Sequence, residues 1–443
     1  MRFVNRDNTR PTIGSRPADV KIDNKRSVLQ SVYLQGTSSK PEVCRAVGLS
    51  RPTASNLIDE LIASGILRKT TFGAASDTGG KRPQLFEFDD DAGWSIGIDV
   101  VSDGDGVTVR GAAANFRLAR QSAHSRPVAE PLAGGSWPER VAEAMAGTAR
   151  HLLGDARSAG RPVLGISVSL PGESNVGMAS AAGRGQARAA PEPGAAERLA
   201  AAASEALGSL GPPVLIAPRV HNMAVAETWF GYGLAGRQSP FMVVDTHDGL
   251  STSLVQASSG TPVNAAYSVA ALGHTTINLD GPRCWCGNRG CWELYASERA
   301  FLEAVRNGAA RWHLPSALAA DIRAGSPPAA SEVAAHIRKG DEFARTQFET
   351  YADRLAIGLV NVVNAFGLPV VVLHGGLRPL GQGFLDLVAS QVRKVALPAA
   401  AAEFEVIFSS LPDDPPLLAA AAVIRQALEG SALTIPAVRE VQE

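Results

Sequence analysis

The sequence predicts an α/β protein in which an N-terminal winged helix-turn-helix precedes a body of two similar lobes. Three observations carry this expectation: two short helical patterns divided by a glycine turn, a strand pattern ending in aspartate that occurs twice, and a charge asymmetry that sets the first 85 residues apart. At 443 residues the chain is long enough for two or three cores, since single domains usually run to about 100–200 residues. With 45% hydrophobic and 19% charged residues, it has the composition of a soluble globular protein.

The helical patterns come first. Residues 1–23 mix Arg, Asn, Asp and Pro without periodicity and read as a flexible arm. Lys25 to Gln35 places Val28, Leu29, Val32 and Tyr33 at helical spacing, closed by Gly36. A second helix is expected from Lys40 to Val47, with Val43 and Ala46 inward and Gly48 ending it. Ser50 caps a third, with Pro52 tolerated in its first turn and Leu57, Ile58, Leu61 and Ile62 as its buried stripe up to Gly65. Residues 66–70 and 84–88 suit paired strands around a polar loop from Phe72 to Pro83. The head is thus expected over residues 24–90.

From Trp94 onward strands alternate with Ala-rich helices. The strand at 95–100, ending Ile98-Asp99-Val100, and the strand at 241–245, ending Val244-Asp245, each lead through a polar bend into a second apolar run, Val107 to Ala112 and Ser253 to Val255. One hairpin module used twice implies two lobes with a cleft between them, over residues 91–443.

The net charge of −1 conceals an imbalance: residues 1–85 hold 14 Lys+Arg against 7 Asp+Glu, or +7, leaving 28 against 36, or −8, for the rest. A basic head on an acidic body is the electrostatic layout of a DNA-binding module on a non-binding core, although a solvated basic tail has the same composition. In a helix-turn-helix the first residues of the second helix face base edges, so Ser50, Arg51, Thr53, Ser55 and Asn56 are the candidate readers. Arg can grip guanine and Asn adenine bidentately, while hydroxyls suit phosphates or bases. In the loop, Gly79-Gly-Lys81-Arg82-Pro83 joins a pliable backbone to two cations, the composition that enters a narrow minor groove. A protein-interaction hairpin and a solvated loop are the plainer alternatives.

The sharpest motif is Cys284-Trp-Cys286-Gly-Asn-Arg-Gly-Cys291, with His274 ten residues upstream. Three thiolates and an imidazole complete the tetrahedral set that structural zinc takes, with no fifth donor evident in the sequence. Buried cysteines beside an unrelated histidine, or redox thiols, are the competing readings. Four cysteines are too few for a disulfide scaffold, which favours a reducing, cytoplasmic compartment. No window holds about 20 unbroken apolar residues, because Leu355 to Leu373 carries Asn361, Asn364 and Pro369, so no membrane span is expected.

With these residues in hand the chain resembles the ROK family, named for its repressors, open reading frames and kinases. The resemblance runs from about Lys25 to Gln426. It rests on Gly273-His274 with the cysteine motif, Glu293 and Ala296-Ser297, on the Gly-Lys-Arg-Pro loop of the family's repressor branch, on Pro171-Gly172, and on His374-Gly-Gly-Leu377. It implies an actin-like, two-lobed sugar-kinase fold with the sugar at the base of the cleft, the zinc loop (274–293) buttressing it, and Gly172, His274 and Glu293 near the sugar. Where the family's kinases carry Asn-Asp ahead of an Ala-rich helix, this chain has Pro218-Arg219, so the catalytic aspartate is expected to be missing. Ala271 replaces a sugar-binding Glu. The first phosphate turn keeps Asp99 but has Val101-Ser-Asp103 in place of Gly-Gly-Thr, and the second keeps only Thr246 and Gly249.

The expected function is that of a DNA-binding repressor, a homodimer or homotetramer on a double-stranded operator, with a non-catalytic sensor for a sugar or sugar derivative. A regulator that has lost its effector and a sugar kinase with an added head are the alternatives. Arg219, His221 and His247 offer cations for an anionic effector such as a sugar phosphate, or else face solvent. His221 is the one nearby substitute for the missing catalytic base.

Overall fold

The computed structural model describes residues 17–73, 82–102, 106–128, 137–170, 194–235, 239–247, 249–256 and 265–429. The head consists of α1 (Pro17–Gln35), the two-residue strand β1 (Ser38–Ser39), α2 (Lys40–Val47), α3 (Arg51–Ala63), β2 (Leu67–Phe72) and β3 (Gln84–Phe88). α1 begins eight residues before the expected Lys25, so 17–23, read as part of the arm, are helical. Proline suits a helix's first position, and Lys21 pairs with Glu60 of α3 at 2.7 Å, a tertiary contact that periodicity does not register. In α2 it is Cys44, beside Val43, that turns inward, while Ala46 is exposed. Ser39 and Glu42 form a capping box on α2. β1 pairs with β3, and β3 with β2, both antiparallel, giving the three-stranded sheet of a winged helix.

The first lobe is built on β4 (Trp94–Ser102), β5 (Val107–Ala114), β6 (Arg120–Val128), α4 (Trp137–Ser158), β7 (Val163–Leu170), α5 (Ala195–Gly208) and β8 (Val214–Pro218), after which α6 (Arg219–Phe230) crosses to the second lobe. That lobe holds β9 (Phe241–Asp245), β10 (Ser251–Gln256), β11 (Ala266–Ala270), α7 (Glu293–Ala296), α8 (Glu298–Arg311), α9 (Ala317–Arg323), α10 (Ala330–Arg338), α11 (Glu342–Phe366), β12 (Val370–His374), α12 (Gln382–Val395), α13 (Pro398–Ala401) and β13 (Glu405–Phe408). The last described helix, α14 (Pro415–Glu429), returns to the first lobe.

The two five-stranded sheets have the same topology. Their orders are β6-β5-β4-β7-β8 and β11-β10-β9-β12-β13, each an antiparallel meander continued by two parallel strands. The duplication expected from the paired hairpins is therefore real, and it places Asp99 of β4 and Asp245 of β9 on facing strands. α14 lies so close to β4 that a side chain at Gly97 would overlap the Pro416 carbonyl, which is why this strand interior tolerates a glycine.

Head and body share one core. Val28, Val32 and Tyr33 of α1, Ile58 and Leu61 of α3, and Phe86 and Phe88 of β3 are continuous with Phe116, with Trp229 of α6 and with Leu418, Ile424 and Leu428 of α14. The Tyr33 hydroxyl donates to the Phe116 carbonyl at 2.6 Å, Arg117 donates to the Tyr33 carbonyl at 3.1 Å and lies over its ring, and Gln30 donates to the Leu428 carbonyl at 3.1 Å. The boundary near residue 90 is thus a chain boundary without a break in packing. Because Tyr33 is 2% exposed at this junction, Tyr33→Ala is expected to cost about 3–5 kcal/mol, the range for truncating a large core aromatic. Calorimetry should show one transition in the wild type and a separate, earlier melting of the head in the variant; a single unshifted transition in both would contradict a shared core.

Candidate functional site: cleft, cysteine loop and recognition helix

Arg219 is the first residue of α6, directly after β8, the place expected for a catalytic aspartate. Its Nε donates to Asp99 Oδ1 at 2.8 Å and its Nη2 to Asp99 Oδ2 at 3.1 Å and to the Val100 carbonyl at 2.8 Å. Nη1 lies 4.0 Å from Asp245 Oδ2. Asp245 in turn takes His247 Nδ1 at 2.6 Å, and His247 Nε2 sits 2.8 Å from Asp413. One guanidinium and one imidazole thereby join carboxylates from both lobes and from the turn before α14. Burial alone would raise the Asp245 carboxyl, but the charge and hydrogen bond of His247 and the charge of Arg219 outweigh it and hold it well below the usual carboxylate range. Burial likewise disfavours a charged His247, and Asp245 and Asp413 overcome it, keeping the imidazole protonated well above its ordinary value.

The expectation of free cations for an anionic effector is corrected here. Arg219 and His247 are committed to carboxylates, and His221, two residues along α6 and so about 200° around the helix from Arg219, packs edge-on against Tyr267 at 5.3 Å. Burial and the nearby Arg425 hold His221 below its ordinary pKa, toward the neutral form. It faces β11, away from the Asp99 ion pair, so it is no substitute base. Thr246 of the second turn is buried, its Oγ1 donating to the His374 carbonyl at 2.9 Å. The glycine pair after β12 is covered by protein: the Gly376 amide donates to Glu298 at 2.8 Å, and a side chain at Gly375 would strike Thr246.

In the cysteine loop, His274 Nδ1 lies 3.6 Å from Cys284 Sγ, and Cys286 and Cys291 Sγ are 3.6 Å apart. All four donor atoms fall within 4.8 Å of one another. Tetrahedral zinc with bonds of about 2.0–2.3 Å separates its ligands by roughly 3.3–3.8 Å, so the loop fits such an ion. Isolated bridges Thr276–Cys291 and Arg283–Arg289 fold it, and a side chain at Gly290 would overlap the Asn278 carbonyl. Glu293 Oε1 lies beside this set, 3.2 Å from Cys284 Sγ and 3.5 Å from His274 Nδ1, and accepts from Trp285 Nε1 at 3.0 Å. His274 and Glu293 are therefore brought together, whereas Arg219 belongs to the ion cluster. Gly172 lies outside the described residues.

On α3, the expected recognition helix, Arg51, Thr53 and Asn56 are exposed. Ser50 caps the helix, accepting from the Thr53 amide at 3.4 Å and bonding the Thr53 hydroxyl at 2.8 Å. Ser55 is the departure: half-buried, it accepts from Lys40 Nζ at 2.8 Å, and Lys40 also pairs with Asp59 at 2.7 Å. It joins α2 to α3 and is not a free reader. Arg51 and Asn56 have no hydrogen-bond or ionic partner among the described residues. Arg82 is exposed, and Lys81 lies outside the described residues.

Sequence reasoning missed a second buried cluster. Glu227 of α6 accepts from His374 Nε2 at 2.9 Å, from the Ser409 hydroxyl and from the Tyr232 amide at 2.9 Å. Burial would raise this carboxyl, but His374 and Ser409 outweigh it and keep it below its ordinary value. The sequence did contain one signal for the other missed partner, Asp413: the run Asp413-Asp414-Pro-Pro is a helix-start pattern, and Asp414 precedes α14.

The pH dependence of the cleft follows from these shifts. A raised histidine gives stability that is complete below its unfolded pKa and is lost as pH climbs through the folded value; depressed carboxylates give stability that is complete above theirs and is lost as pH falls. The contribution of Asp245, His247 and Asp413 is thus complete between about pH 4 and 6.5 and declines above. His247→Gln is expected to flatten the alkaline decline of the urea midpoint. An alkaline limb of unchanged slope in the variant would contradict a protonated His247.

The family model for ROK matches residues 136–427. Over 414 residues the chain is 27% identical to a putative xylose repressor of Caldicellulosiruptor sp. (strain Rt8B.4), covering 91% of this chain and 96% of that protein. Over 231 residues it is 30% identical to the glucokinase of Thermotoga maritima, covering 50% of this chain and 68% of that enzyme. In fold it matches a ROK family transcriptional regulator, a homolog of the E. coli MLC protein, with a TM-score of 0.70 at 19% identity over 94% of this chain and 98% of the other. The relative that matches the chain nearly end to end thus includes the head, whereas the kinase matches only half of it. Family match, duplicated sheets and cysteine loop agree: the chain belongs to the ROK family.

Proposed function

We propose that the protein is a sugar-responsive DNA-binding repressor whose kinase-like body does not phosphorylate sugars. The observation that carries this reading is the pairing of an exposed, unpartnered Arg51 and Asn56 on a capped helix with an Arg219–Asp99 ion pair in the place of a catalytic base. A guanidinium stays protonated at any working pH and cannot accept a proton from an attacking hydroxyl. The near full-length likeness to a xylose repressor supports the same function. Among the described residues no helix is long and apolar enough to cross a membrane.

The effector fits best as an uncharged sugar. The cleft cations Arg219 and His247 are already neutralised by Asp99, Asp245 and Asp413, so among the described residues these two offer a phosphorylated ligand no free counter-charge. Zinc held by His274, Cys284, Cys286 and Cys291 orders the loop that presents Glu293, whose carboxylate is an acceptor for sugar hydroxyls. As one head covers a half-site, binding calls for a dimer or a dimer of dimers.

Selection from a random duplex pool should enrich one sequence. Arg51→Ala should weaken its binding by about 1–3 kcal/mol while leaving binding to unrelated duplex little changed. Equal affinity of wild type and variant for the enriched duplex would remove Arg51 from the reading helix. For the metal, analysis of freshly purified protein should give one zinc per chain, and Cys286→Ser should lose it together with thermal stability; metal-free wild type of full stability would overturn the zinc assignment.

A further inference from the structure

The cleft cluster and the DNA-reading head are joined by the same two helices. α6 begins with Arg219 in the cluster, and its last turn carries Trp229, whose ring lies 6.3 Å from that of Tyr33 in α1. α14 begins directly after Asp413 and Asp414, and near its other end the Leu428 carbonyl accepts from Gln30 of α1. At 1.5 Å per residue the helices span about 18 and 22 Å. They pack on each other, α14 also on β4 and both on β7, and Glu227, in the last turn of α6, is bound to His374 at the end of β12 and to Ser409 before α14. Each helix therefore has one end at the ions and the other at the head.

The ions have a second feature. Asp99 lies within β4 and Asp245 ends β9; the Arg219 guanidinium binds Asp99 at 2.8 Å and lies 4.0 Å from Asp245, whose nearer cation is His247 at 2.6 Å. Buried carboxylates need compensating cations: His247 supplies one at Asp245, and Arg219 supplies the one at Asp99, a place where hard oxygen donors would otherwise suit a divalent metal. The arginine meets that need from within the chain, and its planar fork holds Asp99 through two parallel bonds.

We propose that Arg219 is a built-in counter-ion that replaces an external metal in the cleft, and that the position it fixes at the start of α6 and α14 sets the DNA affinity of the head. This rests on the DNA-binding reading above and adds to it how the cleft is coupled to the operator. The physical warrant is a packed element with contacts at both ends: a shift of either helix at the ions has to be taken up at Tyr33 and Gln30, because a close-packed interior does not absorb it.

The test uses the full chain, the duplex enriched by the wild type, and Mn2+ as the metal probe. Arg219→Gln should acquire a melting temperature that rises with Mn2+, absent in the wild type. Its affinity for the duplex should shift about tenfold, within the usual 5–150-fold range of coupling between sites, and Mn2+ should return it toward the wild-type value. Arg219→Lys, which keeps a cation but loses the bidentate fork, should show no Mn2+ response and shift the affinity less than Arg219→Gln. Should Arg219→Gln fail to fold, Asp99→Asn/Arg219→Gln removes the buried lone charge and should show the altered affinity without the Mn2+ response. A wild type that binds no duplex defeats the DNA-binding reading itself. A wild type that binds, with Gln or double variants of unchanged affinity, or with Lys and Gln variants shifted alike, overturns the role of Arg219.

Discussion

The buried ion pair between Arg219 and Asp99 is the constraint on which the rest of the structure depends. It ties α6 to β4 and, through Asp245, His247 and Asp413, brings in the second lobe and the start of α14. A buried ion pair is not in itself a strong source of stability, because desolvation offsets most of the attraction. Removing one partner, however, strands the other charge in the interior at about 3–5 kcal/mol, so the pair resists separation of α6 from β4. In the proposed reading the same pair puts a permanent cation where a catalytic base is expected.

The head is held by a shared core and not by a tether. Tyr33 meets Trp229 and Phe88, Phe88 meets Phe116, and the Phe116 carbonyl takes the Tyr33 hydroxyl. A DNA-binding module on a flexible linker would be insensitive to events in the body. This one sits on the ends of the two helices that begin at the ions, so packing alone gives the cleft a route to the recognition helix. The cysteine loop is anchored in the second lobe: Glu293 begins α7, and the preceding Trp292 is packed so tightly on α11 that a side chain at Gly358 would run into its ring.

Much of this was legible in the sequence, for identifiable reasons. The helix-turn-helix was readable because its apolar spacing is local and Ser50, Gly48 and Gly65 punctuate it. The cysteine loop was readable because three thiols in eight residues serve few purposes other than a metal. The duplicated sheet order followed from two Val-rich strands ending in aspartate. What escaped were partners distant in sequence: Asp99 and Arg219 are 120 residues apart, His247 and Asp413 are 166 apart, and Glu227 and Ser409 are 182 apart. Local pattern shows that a charged residue exists but not what neutralises it, which is why Arg219 and His247 read as available cations and prove to be paired. Ser55 and the first turn of α1 were misjudged for the same reason, since Lys40 and Glu60 decide them.

The proposal that the cleft has exchanged chemistry for structure stands or falls on nucleotide-dependent phosphorylation. Purified protein incubated with Mg2+, a nucleoside triphosphate and a panel of neutral sugars is expected to form no sugar phosphate above the uncatalysed background, because Arg219 cannot accept the hydroxyl's proton and Asp99 is held by it. Sustained turnover that disappears on mutation of a cleft residue would contradict the account.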